Sequence, residues 1–412
     1  MRLATLLTTC IFTASLSLAG DNWPEFRGPN GDGHGKAKNL PVTFSETENI
    51  AWKTEIHGKG WSSPVVWGDQ IWMTTATEDG TSLFAVRVDL KSGKVTHNER
   101  VFFIKKPQYI NPFNSYASPT PAIEEGRVYV HFGAHGTAAI DTATGKVLWK
   151  RQDLPCDHFR GPGSSPILFE NLLIVNYDGF DLQYVVAFDK NSGDTVWKKD
   201  RGIDYGTEDG DFKKAYGTPR LITVNGQPQL INPSAGATIS YDPRTGNEIW
   251  RVKSGGMNVS ARPLWGHGMI YATTAAGGFQ LFAVRPEGQG DVTKSHVPWK
   301  QPKSIPTRST PIMVDDLIYM VNDAGIFSCV EAKSGKPVWT QRLGGNYTAS
   351  PVFADGRLYF FSQEGESPVL EPGRELKLLA TNKLDDGCMA SPAVADNALL
   401  VRTTTHLYRI EK

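Results

Sequence analysis

The chain has 412 residues, which suffices for several ordinary domains or for one large repeat architecture. Its 43 Lys and Arg residues balance its 43 Asp and Glu residues, so the chain lacks the electrostatic signature of a protein that binds nucleic acid or an anionic membrane surface. The 41 Gly and 26 Pro residues, without any long stretch of apolar residues at helical spacing, are typical of many short strands separated by tight turns.

The first nineteen residues have the pattern of a signal peptide, which we assign to residues 1–19. Arg2 supplies the positive charge, residues 3–18 form an apolar stretch, and Ser17-Leu18-Ala19 provides the small residues that a signal peptidase reads. A membrane anchor or a buried first strand is the alternative, but a spanning helix needs about 20 strongly apolar residues, and this stretch is short and rich in Thr. Gly20 stands where a lipid-anchored protein needs Cys. We therefore predict an exported protein, periplasmic or extracellular, with no transmembrane segment in the mature chain.

Residues 20–48 precede the first predicted blade and form a glycine-rich lead-in. Its stretch Gly28 to Gly35 follows no strand and opens no helix, which argues against a phosphate-binding loop. We expect a flexible segment that folds against the main domain, and we assign residues 49–412 to that domain.

A dipeptide that ends in proline and precedes an apolar run recurs eight times in the remaining chain. Successive prolines lie 40 to 55 residues apart, a spacing typical of one four-stranded propeller blade. The eight dipeptides are Ser63-Pro64, Ser118-Pro119, Ser165-Pro166, Thr218-Pro219, Arg262-Pro263, Thr310-Pro311, Ser350-Pro351 and Ser391-Pro392. The repeat predicts an all-β fold, an eight-bladed β-propeller of four-stranded antiparallel blades.

A second motif closes most of the blades and consists of an acidic residue, Gly four positions later and Trp eight positions later. It occurs as Asp141, Gly145 and Trp149, as Asp189, Gly193 and Trp197, as Asp242, Gly246 and Trp250, and as Glu331, Gly335 and Trp339. The acidic side chain can accept hydrogen bonds from turn N–H groups, and Gly takes the left-handed conformation that other residues resist. We expect each Trp to pack against the neighbouring blade. In the first blade His97 stands in place of Trp.

The last blade has too few strands for a sheet of its own. Residues 400–402 and 407–410 supply two strands after Pro392 before the chain ends. Residues 50–54, Ile-Ala-Trp-Lys-Thr, look like a strand without a blade. We predict that this N-terminal strand completes the last blade, because such a closure removes the exposed sheet edges.

The Asp-x-x-Thr/Ser-Gly-x-x-x-Trp hairpins resemble the tryptophan-docking repeats of the PQQ-like (quinoprotein alcohol dehydrogenase-like) propeller superfamily. The segment Trp23-Pro24-Glu25-Phe26-Arg27-Gly28-Pro29-Asn30-Gly31-Asp32-Gly33 is similar to the mature start of many secreted bacterial members. The resemblance covers residues 23–412 and implies the propeller fold. It leaves the function open, because the superfamily contains both enzymes and scaffolds such as the lipoprotein of the outer-membrane-protein assembly machine.

The connections that lead into the inner strands should circle the mouth of the central channel. Three of them are long, residues 103–116, 151–163 and 199–216, and long loops on one face of a rigid ring mark its functional side. From positions just before the prolines, and from polar and aromatic residues close by, we select eight candidate ligand-binding residues: Trp61, Tyr116, His158, Arg160, Tyr216, Asn258, Arg308 and Tyr347. Such side chains can stack on a sugar or a quinone and hold an anionic group. The alternative is that they simply fill the channel.

We predict no metal site. His131 and His135 are four residues apart, but they lie in a strand-turn segment, so they need not share a face. Cys156, Cys329 and Cys388 remain after cleavage and form no CxxC pair. We expect them to be small buried hydrophobic residues, with at least one free thiol because their number is odd.

Three functions are open, and we favour the first, an exported, monomeric, non-catalytic platform that binds a protein or a saccharide at the long-loop face without a cofactor. The second is a quinoprotein dehydrogenase that oxidises alcohols or sugars with PQQ and Ca²⁺. The resemblance implies for such enzymes an adjacent Cys-Cys disulfide beside the quinone and a calcium ion held by Glu, Asn and Asp, and this chain has no two adjacent cysteines. The third is a polysaccharide lyase or hydrolase, with His158, Tyr116 and Tyr216 as candidate acids or bases and Arg160 or Arg308 neutralising a carboxylate.

Overall fold

The computed structural model describes residues 21–275, 277 and 280–412, which form an eight-bladed β-propeller. Each blade is a sheet of four antiparallel strands, and blade 4 carries a fifth strand in parallel register. The fold class predicted from the repeat is therefore confirmed. The predicted signal peptide lies outside the described residues.

The strands of each blade follow one another from the central channel outward. Blades 1 and 2 comprise Val65–Trp67, Gln70–Ala76, Ser82–Asp89 and Val95–Phe103, then Ala122–Glu124, Arg127–His131, Thr137–Asp141 and Val147–Arg151. Blades 3 and 4 comprise Ile167–Phe169, Leu172–Asp178, Gln183–Asp189 and Thr195–Asp200, then Arg220–Val224, Gln227–Pro233, Ala237–Tyr241 and Glu248–Lys253. Blades 5 and 6 comprise Leu264–Gly266, Met269–Thr273, Leu281–Val284 and Lys300–Gln301, then Ile312–Val314, Leu317–Val321, Ile326–Glu331 and Pro337–Arg342. Blades 7 and 8 comprise Val352–Ala354, Arg357–Tyr359, Glu366–Glu371 and Lys377–Lys383, then Ala393–Ala395, Ala398–Arg402, His406–Ile410 and Ile50–Glu55.

The described helical structure is one 3₁₀ turn, Gly210–Lys213, whose N-terminus is capped by the side chain of Asp209. Within the part of the chain that the structure describes, no helix is both long and apolar enough to cross a bilayer.

The ring closes in blade 8, where the two ends of the chain meet. Ile50–Glu55 pairs antiparallel with His406–Ile410, so that Thr54 lies opposite Leu407. The N-terminal strand is the outermost strand of this sheet, as the strand count predicted.

The acid-to-Trp hairpins adopt the predicted turn. The carboxylate of Asp141 accepts hydrogen bonds from the N–H groups of Ala143 (3.0 Å) and Thr144 (2.7 Å), and Gly145 has a φ of +73°. Trp149 lies in the outer strand of blade 2, and its side chain packs on the hairpin of blade 3. Its Nε1 donates a hydrogen bond to the carbonyl of Lys190 (3.0 Å). Each hairpin thus provides a turn and a docking surface for the preceding blade.

The same packing of an aromatic ring on the hairpin glycine of the next blade recurs between several pairs of neighbouring blades. A Cβ atom added to the hairpin glycine would collide with the ring docked on it in five cases: Trp52 on Gly93, His97 on Gly145, Trp149 on Gly193, Trp197 on Gly246 and Trp299 on Gly335. Trp339 donates instead to the carbonyl of Gly373 at 3.2 Å. Trp52 takes part although no acidic residue stands eight positions earlier, and Trp299 takes part although Ser295 replaces the glycine that should follow Asp291 by four positions.

Trp250 packs against the neighbouring blade as predicted, but in a different way. It is completely buried between blades 4 and 5 and donates from Nε1 to Oε1 of Gln229 at 3.0 Å. In blade 5 the motif keeps Asp291 and Trp299 but has Ser295 in place of glycine, and its residues Gly290–Asp291 pair in parallel with Trp250 and Arg251. The extra strand therefore pairs with Trp250, whereas the other docked tryptophans contact a hairpin glycine of the next blade.

The glycine-rich lead-in enters the central channel from the end opposite the long loops. Trp23 exchanges main-chain hydrogen bonds with Val66 of blade 1, at 2.9 and 2.8 Å. Further on, Phe353 of blade 7 donates to the carbonyl of Gly33 (2.9 Å), and Gly35 donates to the carbonyl of Phe353 (2.8 Å). The lead-in thus folds against the main domain, as expected, and these bonds attach it to blades 1 and 7.

Three buried arginines hold this plug in place. Arg27 donates to the carbonyls of Pro351 (2.9 Å) and Pro311 (3.3 Å) in blades 7 and 6, and Arg262 forms an ion pair with Glu25 at 2.7 Å. Burial is the main cause that lowers the pKa of Arg27 to about 9 and that of Arg220 to about 10. Arg262 replaces the hydroxyl residue of the other repeats because a long side chain is needed here to reach the plug.

Candidate functional site

The mouth of the channel, on the long-loop face, holds a cavity of about 370 Å³. Its wall is built by residues just before the inner strands and by the three long connections, and its floor includes Phe26 from the plug. The volume lies near the lower end of the range for small-molecule sites, about 300–1,000 Å³. The alternative that large side chains simply fill this end of the channel does not hold, because the plug closes the opposite end and leaves the mouth open.

Five of the eight candidate residues line this cavity. They come from five different inter-blade connections: Trp61, Arg160, Tyr216, Asn258 and Arg308. The topological rule that predicted them, position before an inner strand, is therefore sound for these residues. Whether they bind a ligand remains a prediction.

Tyr116 does not line the cavity, because the repeat in blade 2 is shifted by two residues from our assignment. The inner strand begins at Ala122, so Thr120-Pro121, not Ser118-Pro119, corresponds to the dipeptides of the other blades. Tyr116 is buried, and its hydroxyl donates to the carbonyl of Gln108 at 2.7 Å.

His158 and Tyr347 are also absent from the lining. His158 is 4% exposed and lies behind the wall, where its ring stacks near Tyr177 with centroids 6.1 Å apart. Tyr347 is 2% exposed and packs edge-on against Phe327 at 5.3 Å. Both precede inner strands closely, but their side chains turn into the cores between blades.

The lining also includes residues that were not selected from the sequence, among them Phe26, Asn111 and Phe113. Phe26 reaches it only because the plug passes through the channel, and no local pattern in the sequence indicates that path. Asn111 and Phe113 lie in the first long connection, which was recognised as a loop of the mouth without these residues being selected.

The lower wall of the cavity is a ring of hydroxyl groups that also joins the blades. The main-chain N–H of one blade donates to the hydroxyl of the next at 2.9–3.0 Å, in the links Ser63 to Thr120, Thr120 to Ser165, Ser165 to Thr218, Arg262 to Thr310, Thr310 to Ser350 and Ser350 to Ser391. In each link the hydroxyl oxygen accepts the hydrogen bond, so the hydroxyl group's own O–H donor is not used. Among the described residues none of these hydroxyls donates its proton to a protein acceptor.

Arg308 crosses the upper part of the mouth. Its guanidinium lies 4.3 Å from the ring centre of Phe113, and its Nη1 lies 3.0 Å from a carboxylate oxygen of Asp323. Asp323 also accepts hydrogen bonds from the main-chain N–H and the hydroxyl of Thr307. The side chain of Arg308 is 42% exposed, so its remaining N–H groups face solvent and the cavity.

Arg160 and Tyr216 form the opposite wall. Nη2 of Arg160 bonds Asp211 at 2.6 Å, while its buried Nε has no partner in the described part of the chain. The ammonium of Lys214 lies 4.1 Å from the ring centre of Tyr216, and burial lowers the pKa of Lys214 to about 8. Burial is also the main cause that raises the pKa of Tyr216 above its usual value.

Asn258 stands between these residues in a left-handed conformation, with a φ of +58°. Its main-chain N–H donates to the carbonyl of Lys214 at 2.7 Å. Its Oδ1 is buried and lacks a hydrogen-bond donor among the described residues. A buried acceptor without a partner is costly, so this oxygen is a natural contact for a ligand hydroxyl or a water.

Three histidines form a cluster behind the wall of blades 2 and 3. His131 bonds the hydroxyl of Thr137 at 2.8 Å through Nδ1, and His135 accepts the main-chain N–H of Gln108 at 3.1 Å through Nε2. Burial lowers the pKa of all three histidines, to about 3 for His131. Lys214 and the other two histidines lower the pKa of His158 further. The cluster is therefore neutral near pH 7.

The residues of the mouth fit poorly with a calcium-bound quinone. Among the described residues its lining contains Ser, Thr, Asn, Arg and aromatic side chains but no Asp or Glu, and carboxylates are the usual protein ligands of Ca²⁺. Cys156, Cys329 and Cys388 are free, buried and far apart in the sequence, so no cysteine pair stands beside the cavity. In the described residues no group of three or more His, Cys, Asp or Glu side chains is arranged to hold a metal ion.

The fold and its docked hairpins place the chain among the PQQ-like propellers. More specifically, it belongs to the family described as "Outer membrane protein assembly factor BamB", whose model matches residues 38–152, 105–182 and 181–412. The protein of that name from Shewanella oneidensis is 21% identical over 310 residues, which cover 69% of this chain and 72% of that protein.

Two solved structures are similar in fold. A europium-containing methanol dehydrogenase has a TM-score of 0.69 with 13% identity, over 94% of this chain and 90% of that one. BamB from Moraxella catarrhalis has a TM-score of 0.61 with 14% identity, over 88% of this chain and 99% of that one. At these identities the similarity shows the fold alone. The two similar structures are an enzyme and an assembly factor, so the fold does not decide between these functions.

Proposed function

We propose that this protein is an exported, non-catalytic binding platform that takes its ligand, a protein or a saccharide, in the mouth of the propeller. The observation that carries the proposal is the make-up of the cavity. In the part of the chain that the structure describes, it is lined by hydrogen-bond donors and aromatic rings and by no Asp, Glu, His or Cys side chain. Such a surface can hold and orient a ligand, but it offers few groups that exchange protons with it near pH 7.

Lyase or hydrolase chemistry needs an acid and a base within hydrogen-bond reach of the substrate. Of the three residues suggested for that role, only Tyr216 lines the cavity, and its raised pKa makes it a poor base. His158 and Tyr116 are buried away from the cavity. Asp211 and Asp323 are engaged by Arg160 and Arg308, respectively.

The quinoprotein alternative is favoured by the fold similarity to a methanol dehydrogenase. Against it stand the lack of carboxylates among the described lining residues and the absence of two adjacent cysteines in the sequence. We therefore place this function second and assign no cofactor.

Export and a protein partner are supported from two directions. The secreted-type start of the lead-in supports export, and the name of the Shewanella relative, an outer membrane protein assembly factor, is in keeping with both export and a protein partner. Near the mouth the long connections expose Tyr109, Phe159 and Phe212, which are 62%, 37% and 50% accessible. Exposed aromatic residues beside a pocket are typical of recognition surfaces.

The proposal is tested by screening the purified chain against immobilised glycans and exported proteins. We expect a saturable ligand that Trp61→Ala weakens at the mouth, while Leu378→Ala, an exposed apolar residue of an outer strand, leaves binding unchanged. Long incubation should return the ligand chemically intact. A ligand that binds equally well to both variants, or that is cleaved or oxidised, would contradict the proposal.

A further inference from the structure

The geometry points to an anionic sugar as the ligand of the mouth: a saccharide unit that carries a carboxylate or a sulfate. This inference rests on the proposed binding function and specifies its ligand class. It draws on three features of the cavity that act together, namely hydroxyl donors below, guanidinium groups at the sides, and a buried acceptor with aromatic rings between them.

The hydroxyl ring makes the floor of the cavity a surface of donors. The hydroxyls of Thr120, Ser165, Thr218, Ser350 and Ser391 line it, and each already accepts a main-chain N–H. Their protons are therefore left for whatever occupies the cavity. A ring of such donors is complementary to a ligand rich in acceptor oxygens.

The guanidinium groups add charged donors above this floor. Arg308 has one carboxylate contact, at 3.0 Å, and Arg160 has one ion pair, at 2.6 Å, so both retain N–H groups without protein partners among the described residues. Guanidinium groups bind carboxylate and sulfate oxygens in paired hydrogen bonds. Because Asp211 and Asp323 balance the two positive charges, recognition depends on these bonds rather than on a large net charge.

A simple inorganic anion would leave part of the cavity unused. Oδ1 of Asn258 is a buried acceptor that needs a donor, and a sugar hydroxyl supplies one. Trp61 and Tyr216 line the same cavity and can contact the apolar face of a sugar ring. The indole of Trp61 is held in place by a bond from its Nε1 to the carbonyl of Phe113 at 3.0 Å.

The size of the cavity restricts how such a sugar enters. A volume of about 370 Å³ that is closed below by Phe26 and the plug accommodates a short terminal portion of a glycan. A continuous polymer could not pass through, because the lead-in fills the channel. We therefore expect chain ends or short oligosaccharides to bind better than the interior of a long polysaccharide.

Isothermal titration calorimetry with three trisaccharides tests the inference. The probes are trigalacturonate, a sulfated galactose trimer and neutral galactotriose. We expect at least one anionic probe to bind about tenfold or more tightly than the neutral one. Arg308→Gln should remove most of that difference, since hydrogen bonds to charged groups are stronger than those between neutral groups. Arg374→Gln removes the same charge from an exposed ion pair with Glu331 on an outer hairpin, and it should change nothing.

The outcomes distinguish a failure of the anionic-sugar inference from a failure of the proposed binding function. Binding of trigalacturonate alone indicates carboxylate recognition, and binding of the sulfated trimer alone indicates sulfate recognition; both support an anionic sugar. Equal affinity for galactotriose, or an unaltered preference in Arg308→Gln, overturns the inference while the mouth remains a binding site. Binding of a protein but of no sugar also overturns it, and the absence of any mouth ligand overturns the proposed function as well.

Discussion

The guanidinium of Arg308 lies 4.3 Å from the ring centre of Phe113, although the two residues reach the mouth from opposite sides of the ring. Arg308 precedes the inner strand of blade 6, and Phe113 precedes that of blade 2. The contact therefore spans the opening and narrows access to the cavity beneath it.

This contact should be measurable in a double-mutant cycle with Phe113→Ala and Arg308→Gln. We expect a coupling free energy of about 0.5–1 kcal/mol, the usual value for an exposed cation–π pair. Urea unfolding of the four proteins gives the coupling directly. Additive single-variant effects would mean that the two side chains do not stabilise each other in solution.

The docking of Trp149 on Gly193 can be separated from the backbone cost of its turn. Gly193 has a φ of +79°, and a Cβ there would lie 2.7 Å from the indole, whereas Gly226 has a φ of +77° and open space around it. Gly226→Ala should cost only the left-handed conformation, roughly 1–2 kcal/mol. Gly193→Ala should cost about 1–3 kcal/mol more from overpacking. Equal losses in the free energy of unfolding would show that the indole moves aside freely.

The histidine cluster predicts a loss of stability in mild acid. His131, His135 and His158 have folded-state pKa values below the ordinary 6.5, to about 3 for His131. Their stabilisation is complete above about pH 6.5 and is lost as the pH falls towards the folded values, because the unfolded chain then binds more protons.

The unfolding free energy should therefore decline as the pH falls below about 6.5, before most carboxylates titrate. Between pH 7 and 8 the lowered pKa of Lys214 adds a separate slope of the same sign. His158→Gln should reduce the slope below pH 6.5, because it removes one of the buried imidazoles of the cluster. A free energy of unfolding that stays constant down to pH 5 would refute the neutral, buried state of the cluster.

The hydroxyl ring should contribute to the stability of the propeller as well as to the cavity. Ser350→Ala removes the acceptor of the buried Thr310 N–H, now at 2.9 Å, and should cost about 1–3 kcal/mol. Ser350→Thr keeps the hydroxyl, as Thr does at this position in blades 2, 4 and 6, and should stay close to the native stability. Chemical unfolding gives the free energy of unfolding of both variants. A similar loss in Ser350→Ala and Ser350→Thr would indicate that packing, not the hydrogen bond, determines the stability at this position.

The features that could be predicted from the sequence are those set by short-range chemistry. Asp141 and Gly145 form their hairpin through bonds within a few residues, so the motif alone suffices. Ring closure followed from counting strands, because an unpaired edge in blade 8 required a partner. Trp299 was not recognised because Ser295 stands where the motif has glycine, four positions after Asp291, although its glycine partner, Gly335, was identified.

The site was predicted in part, and each error has a local cause. Two prolines two residues apart, Pro119 and Pro121, made the register of blade 2 ambiguous, and the wrong choice selected Tyr116. For His158 and Tyr347 the position in the chain was informative, but the direction of the side chain depends on cores between blades that no short motif encodes. Phe26 depends on the path of the entire lead-in.

Titration of the purified chain with PQQ and Ca²⁺ tests most directly whether the mouth is a binding site without quinone chemistry. Melting temperature reports binding, and dye-linked oxidation of alcohols and sugars reports catalysis. We predict no saturable shift in melting temperature and no oxidation, because the lining provides no carboxylate for calcium. A saturable rise accompanied by dye reduction would contradict the claim and make this protein a quinoprotein dehydrogenase.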